Sequence, residues 1–144
     1  MTAFTIQDAS RQSGLSEPTL RYYEQVGLIG PIGRDEHQHR RYRPEDINTL
    51  DALACLRATG VSIEDMRTYQ ANLARRDETA GEQRDILLRH AARIEAEMVL
   101  QQARLAYLKS KAAMWDARER GDVSAEAESI EQMKVAAAGM GFVR

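Results

Sequence analysis

The stretch Gly14-Leu15-Ser16, followed by Thr19-Leu20-Arg21-Tyr22-Tyr23-Glu24-Gln25-Val26-Gly27-Leu28, decides how this chain begins to fold. Glycine supplies a turn and Ser16 a helix N-cap. Pro18 is tolerated in the first turn, where its missing amide has no intrahelical acceptor, and Gly27 breaks the helix. Upstream, Thr5-Ile6-Gln7-Asp8 reads as a capping box with Asp in the Glu position, opening a helix that ends before Gly14. Two short helices joined by a tight glycine turn make a helix-turn-helix. Its second helix carries Ser16, Thr19, Arg21, Tyr22 and Tyr23, whose hydroxyls, guanidinium and phenols suit phosphate oxygens and base edges of DNA. Helical spacing sets Tyr22 and Tyr23 about 100° apart. One is therefore expected to pack partly into the core and the other to reach DNA.

Working outward, the Gly, Pro, His and charged residues from Gly30 to Arg43 are incompatible with a long helix and predict a short hairpin, or wing. Arg34, Arg40, Arg41 and Arg43 crowd this segment. Arg40, Arg41 and Tyr42 beside the wing tip are read as phosphate or minor-groove contacts, against the alternative of solvated loop charge. Pro44-Glu45-Asp46 restarts helix with acidic groups at its positive end. This helix carries Ile47, Leu50, Leu53 and Ala54 on one face and should stop near Gly60. Ser62 then caps a fourth.

Thr79-Ala80-Gly81-Glu82 reads as a second capping box, and neither Pro nor Gly occurs from Glu82 to Arg120. Positions 87, 91, 94, 98, 101, 105, 108, 112 and 115 alternate steps of four and three, and all but Gln101 are apolar. Leu87, Ile94, Met98, Gln101, Leu105, Leu108 and Trp115 thus define a heptad seam. A helix of about forty residues spans roughly 60 Å and cannot bury its own stripe. Its simplest partner is a second copy of the chain, with Gln101 fixing register. The alternative is an amphipathic helix folded back on the head. Ser124 to Ala138 reads as a further short helix, and the end from Gly139 to Arg144 as mobile unless Met140 and Phe142 dock. The expected division is a winged head over 1–76, a dimerisation helix over 77–120 and a tail over 121–144, in a mainly α fold.

With 144 residues the chain holds one small domain and a long extension, leaving no room for a large ligand-binding domain. Ten arginines against ten acidic residues up to Arg76 leave no bulk basic charge, so the local arginine cluster carries the nucleic-acid signal. A single cysteine, Cys55, excludes an intrachain disulfide and fits a reducing compartment. Met1 to Ser10 lacks the charged start and apolar run of a signal peptide, and no stretch is apolar enough to span a membrane. A cytoplasmic location is expected. No catalytic triad, carboxylate pair in a cleft or phosphate loop argues for an enzyme.

Thr19-Leu-Arg-Tyr-Tyr-Glu, Gly27-Leu-Ile, Arg40-Arg-Tyr, Pro44-Glu-Asp and Gly60-Val-Ser-Ile together resemble the MerR family of bacterial transcription regulators. The resemblance covers the head from Ile6 through the Ser62 helix, and the rod in length and placement. It implies a homodimer joined by an antiparallel coiled coil, with two winged heads on successive major grooves of a palindromic promoter site. Such regulators bind promoters whose spacer is too long for RNA polymerase and, on receiving a signal, twist and bend the DNA to realign its elements. This sequence departs at the wing tip, where His37-Gln38-His39 replaces the family's frequent Asn-Gly and aromatic. A turn without Gly or Asn at positive φ suggests a looser or differently shaped wing.

The family's metal sensors place a cysteine at the start of the rod and more in a loop after it. This chain has none there, so no metal or other cofactor is expected, and His37 and His39 lack a third ligand. His90 is read as a surface or seam-edge residue. Cys55 points about 150° from the centre of its helix's apolar face, alongside Asn48, Asp51 and Thr59. Its place in Cys55-Leu-Arg-Ala-Thr-Gly-Val-Ser-Ile resembles that of the reactive cysteine in an aldehyde- and electrophile-responsive branch, as does Asp77-Glu-Thr followed by Arg84-Asp-Ile-Leu-Leu. Asp51, one turn earlier, sets a negative charge against that role. The alternatives are a regulator responding to a noncovalent ligand near the rod end and tail, an architectural DNA-bending protein, or an interaction module built on the coiled coil.

Overall fold

A computed structural model describes residues 3–142. The chain forms α1 (Ile6–Ser13), α2 (Glu17–Gln25), β1 (Gly33–Arg34), β2 (Arg40–Arg41), α3 (Pro44–Ala58), α4 (Ile63–Asn72), a 3₁₀ turn (Leu73–Arg75), α5 (Arg76–Arg120) and α6 (Val123–Gly139). It divides into two compact units, one ending at His90 and one beginning at Ala91. Among the described residues no helix is long and apolar enough to cross a membrane. Met1, Thr2, Val143 and Arg144, which enter the expectations for a leader and for a mobile end, lie outside the described residues.

The caps set the boundaries of the first unit. The Thr5 hydroxyl accepts the Asp8 N–H, and the Asp8 carboxylate accepts the Thr5 N–H, each at 3.1 Å. α1 ends at Gly14 with φ 76°, a left-handed conformation that costs other residues a steric clash. Ser16 and Ser62 cap α2 and α4 by accepting the N–H groups of Thr19 and Asp65, each at 3.2 Å. The core gathers Leu15, Leu20 and Tyr23 with Leu28, Ile29, Ile32 and Tyr42, together with Ile47, Leu50 and Leu53 of α3 and Met66 of α4. Phe4 and Tyr42 exchange both backbone hydrogen bonds at 2.8 Å, tying the N-terminal segment to the wing.

Two readings are corrected where α4 meets α5. Thr79 is no N-cap, because α5 starts three residues earlier, straight out of the 3₁₀ turn, so no chain break is left to cap. Its hydroxyl instead donates to the carbonyls of Asn72 (2.9 Å) and Arg75 (2.8 Å). His90 is no surface residue either. Only 11% of its side chain is exposed, and Nε2 lies 2.6 Å from Asp65 Oδ2, which also accepts from Arg89 at 2.9 Å. The bonds from His90 and Arg89 hold the Asp65 carboxyl below the ordinary range. Gln83 completes the contact, donating to the Tyr69 carbonyl and accepting from the Asn72 amide.

In the second unit, Arg118 pairs with Glu126 at 2.8 Å. Gly121 at φ 73° reverses the chain, and Asp122 caps α6 by accepting the Ala125 N–H. α6 is a 17-residue helix, slightly longer than expected. It covers a stripe of α5 that the heptad reading missed: Leu100, Ala103, Tyr107, Ser110, Met114 and Ala117 also alternate by three and four and are all half-buried or buried. Small residues allow the approach, with Ser129, Ala136 and Ala137 buried on α6. A methyl group built on Gly139 would come within 3.1 Å of Ala103 Cβ. The stripe read as a seam stays open. Leu87, Met98, Leu105, Leu108 and Trp115 are exposed, Leu108 at 65% and Trp115 at 58%, and Ile94 is half-buried.

Candidate nucleic-acid interface

Ser16 and Arg21 lie on the outward side of α2, with Thr19 half-buried beside them and Tyr22 46% exposed. Ser16 Oγ donates to Thr19 Oγ1 at 2.8 Å, and Arg21 sits 3.5 Å from Glu17, an exposed pair of little energetic weight. Arg21 is thus available to a stronger anion. A groove of about 390 Å³ runs between α1, α2 and the wing, lined by Thr5, Gln7, Arg21, Arg34, His39, Arg40 and Arg41. It brings the arginines of the second helix and of the wing to one surface.

Tyr23 and Tyr42 are not part of that surface. They are 2% and 0% exposed, so their reading as DNA contacts is corrected: both fill the core. Their phenolic oxygens are buried and lack a hydrogen-bond partner among the described residues. Burial accordingly pushes both phenols above their ordinary pKa. Of the two adjacent tyrosines, Tyr23 is the one that packs and Tyr22 the one that faces out, as helical spacing requires.

Two carboxylates absent from the sequence reading shape the wing. Glu24, on the inner side of α2, accepts from Arg40 Nε at 2.8 Å and from the Ile32 N–H at 3.1 Å. Burial raises its carboxyl, and those two bonds outweigh the effect, leaving it below the ordinary value. Arg40 is therefore largely spent on anchoring the wing to α2. Asp35 organises the tip. Its Oδ1 accepts the N–H groups of His37 and His39 at 2.9 Å, and its Oδ2 binds Arg41 at 2.9 Å. These bonds, the His39 N–H foremost, hold its carboxyl down to about 2.

The same residue shapes a turn that forms without Gly or Asn. Gln38 takes the positive φ, 65°, that Gly or Asn usually takes, and the Asp35 carboxylate ties down the backbone on both sides of it. Glu24 sits within the quoted Tyr-Tyr-Glu run, and Asp35 six residues before Arg41. Their opposite charges near an arginine cluster were the available signal. Cys55, on α3, is exposed.

A short basic hairpin set beside the second helix of a helix-turn-helix defines a winged helix-turn-helix DNA-binding head. Comparison with known proteins agrees. Residues 4–73 match the family described as MerR HTH family regulatory protein. Heavy metal-dependent transcription regulator 2 of Rhizobium meliloti (strain 1021) is 32% identical over 117 residues, which is 81% of this chain and 80% of that protein. The HTH-type transcriptional regulator AdhR of Bacillus subtilis (strain 168) is 39% identical over 82 residues, 57% of this chain and 59% of that one. The crystal structure of HiNmlR, a MerR family regulator lacking the sensor domain and bound to promoter DNA, superposes with a TM-score of 0.68 at 28% identity, covering 87% of this chain and 96% of that one. The chain belongs to the MerR family of helix-turn-helix transcription regulators, a family of regulators and not of enzymes.

Proposed function

We propose that this regulator binds a palindromic promoter site as a homodimer and distorts it in response to a signal, so that RNA polymerase can engage the promoter. The groove that gathers Arg21 of α2 with Arg34 and Arg41 of the wing carries the reading, because it offers several guanidinium groups to phosphates on one surface. Its likeness to HiNmlR, a protein described as bound to promoter DNA, supports the choice of ligand. Ser16, Thr19 and Tyr22 reach the groove floor of the DNA alongside Arg21. The open stripe from Leu87 to Trp115 supports an antiparallel coiled coil as the dimer contact, since exposed Leu105, Leu108 and Trp115 need a second helix. Replacing Arg21 and Arg41 by Ala should abolish binding to the DNA upstream of the protein's own gene and leave the oligomeric state unchanged. Retained site-specific binding would sink the assignment.

For the signal, the reading is an electrophile captured by Cys55, which is exposed and away from the apolar face of α3. The likeness to AdhR favours that branch. With one cysteine in the whole sequence, thiolate metal sensing has too few ligands. In vitro transcription with a reactive aldehyde, comparing wild type with Cys55→Ser, tests it: activation should vanish in the Ser variant. One feature favours a noncovalent ligand instead, a cleft of about 290 Å³ between Tyr107 and Lys111 of α5 and Ile130 and Met133 of α6. Unchanged aldehyde activation in the Ser variant rules out Cys55, and no aldehyde response in either protein moves the search to that cleft.

A further inference from the structure

The wing tip carries two imidazoles that the DNA reading leaves without a task. His37 and His39 flank Gln38 with ring centroids 6.3 Å apart and planes tilted by 45°. Both side chains are 74% exposed. Their main chain, by contrast, is fixed, because Asp35 accepts both N–H groups and Arg34 Nη1 donates to the Gln38 carbonyl at 3.2 Å. The turn therefore presents two outward rings from an ordered support. His39 also lines the basic groove with Arg21, Arg34, Arg40 and Arg41.

The charges around the rings are few and identifiable. Glu36 Oε1 lies 3.6 Å from His37 Nε2, and Asp35 Oδ2 lies 3.8 Å from His39 Nδ1. Asp35 is already shared with Arg41 and two amides, which limits what it can offer His39. Arg34, Arg40 and Arg41 on the wing and Arg21 on α2 are the positive neighbours, Glu24 of α2 is paired with Arg40, and behind the neutral Thr5, Ile6 and Gln7 the Asp8 carboxylate of α1 interacts with Arg41. From Gly33 to Arg43, four arginines against Asp35 and Glu36 leave a formal charge of +2, and two protonated imidazoles double it.

We infer that His37 and His39 contact DNA phosphates, and that their protonation sets how tightly the wing grips the backbone. The inference rests on the promoter-DNA reading. Histidine is the side chain whose charge ordinarily changes between about pH 5 and 8. A phosphate placed against an imidazole ring favours its charged form. DNA thus favours protonation, and by linkage protons favour DNA.

The full chain and a fragment from immediately upstream of its own gene suffice for the test, with Kd measured by fluorescence anisotropy at pH 5.8 and 8.0 over a range of salt. Wild type should bind about tenfold tighter at pH 5.8, with the slope of log affinity against log salt steeper by about 0.9 for each imidazole engaged. The double variant His37→Gln/His39→Gln should lose this pH dependence. His37→Arg/His39→Arg, with fixed charge, should bind at pH 8.0 as wild type does at pH 5.8. His90→Gln, which removes the third histidine, should keep the wild-type response. A Gln pair that still tightens with acid, or a wild type indifferent to pH, overturns the proposal. Should the Gln pair bind too weakly to titrate, pH dependence retained by the Arg pair overturns it and its loss supports it. A wild type that binds the fragment at neither pH removes the DNA reading, and the proposal with it.

Discussion

The two units dispose of their apolar residues in opposite ways. Up to His90, the large side chains of α1 to α4 close on one another, and Tyr23, Tyr42, Leu20, Leu50 and Leu53 are essentially inaccessible. From Ala91 onward, α5 carries two apolar stripes and α6 covers one. Leu105, Leu108 and Trp115 stay in water. A domain that encloses its core specifies its fold from within, whereas a half-covered helix that pairs with a second copy, as proposed, defers part of its stability to assembly and hence to concentration. The contrast gives similar residues different settings: leucine in the first unit stabilises the fold, and leucine on the open stripe is left exposed, free for the proposed second helix.

The strongest way to break the comparison is on that stripe. Leu105→Lys with Leu108→Lys should cost the dimer about 6 kcal/mol or more, since four leucines across two chains each contribute about 1.5–3 kcal/mol when buried. Sedimentation equilibrium should then find monomers, with the circular dichroism of the head preserved. An unchanged dimer would place the interface elsewhere.

Next in size is Glu24→Ala, which leaves Arg40 and the Ile32 N–H without their acceptor in a place where both side chains are about a fifth exposed or less. The expected loss is about 2–3 kcal/mol of stability in the first unit, read by urea denaturation, with weaker DNA binding as the wing comes loose. A loss confined to a few tenths would mean that the wing is held by its strands and the Phe4–Tyr42 bridge alone.

Acid should act on the first unit more than on the second. The carboxyls of Asp8, Asp35 and Asp65 all sit below the ordinary 3.8, Asp35 at about 2. For groups depressed in the folded state, the stabilisation is complete above the unfolded value and is lost as pH falls through the folded one. The contribution of these carboxyls should therefore be constant above about pH 5 and be lost between about pH 4 and 2. Asp35→Asn should make that fall shallower in pH-dependent thermal melts, and an unaltered slope would remove Asp35 as a contributor.

The smallest effect sharpens the head's side of the contrast. Tyr42→Phe deletes a buried hydroxyl with no partner among the described residues, so stability should hold or rise by up to about 1 kcal/mol, and DNA affinity should stay the same. A large loss of affinity would restore Tyr42 as a contact.

What the sequence made legible follows the same division. Caps and breaks act over three or four residues, so Thr5, Ser16, Gly27 and Ser62 announced their helices directly. The heptad stripe declared itself because its residues are large and apolar. The second stripe did not, because Ala103, Ser110 and Ala117 are small or polar and gain their burial from a helix that returns from beyond Gly121. Glu24 and Arg40 stand sixteen residues apart, and Asp65 and His90 twenty-five. No periodicity links such partners, so the wing anchor and the α4–α5 contact emerged only in three dimensions. Thr79 was the converse case, a sequence that looks like a cap inside a helix that has already begun.

The contact between Gly139 and Ala103 works as an index mark for the hairpin. The approach opposite Ala103 is close enough that even a methyl group would require the neighbour to give by a few tenths of an ångström. Sliding α6 by about one turn would push Val135 into that notch, and a slip of three residues the other way would bring Phe142. Each of these two alignments sets a branched or aromatic group against a methyl, so one glycine near the end of α6 weighs against them and favours the observed pairing of its side chains with the rod.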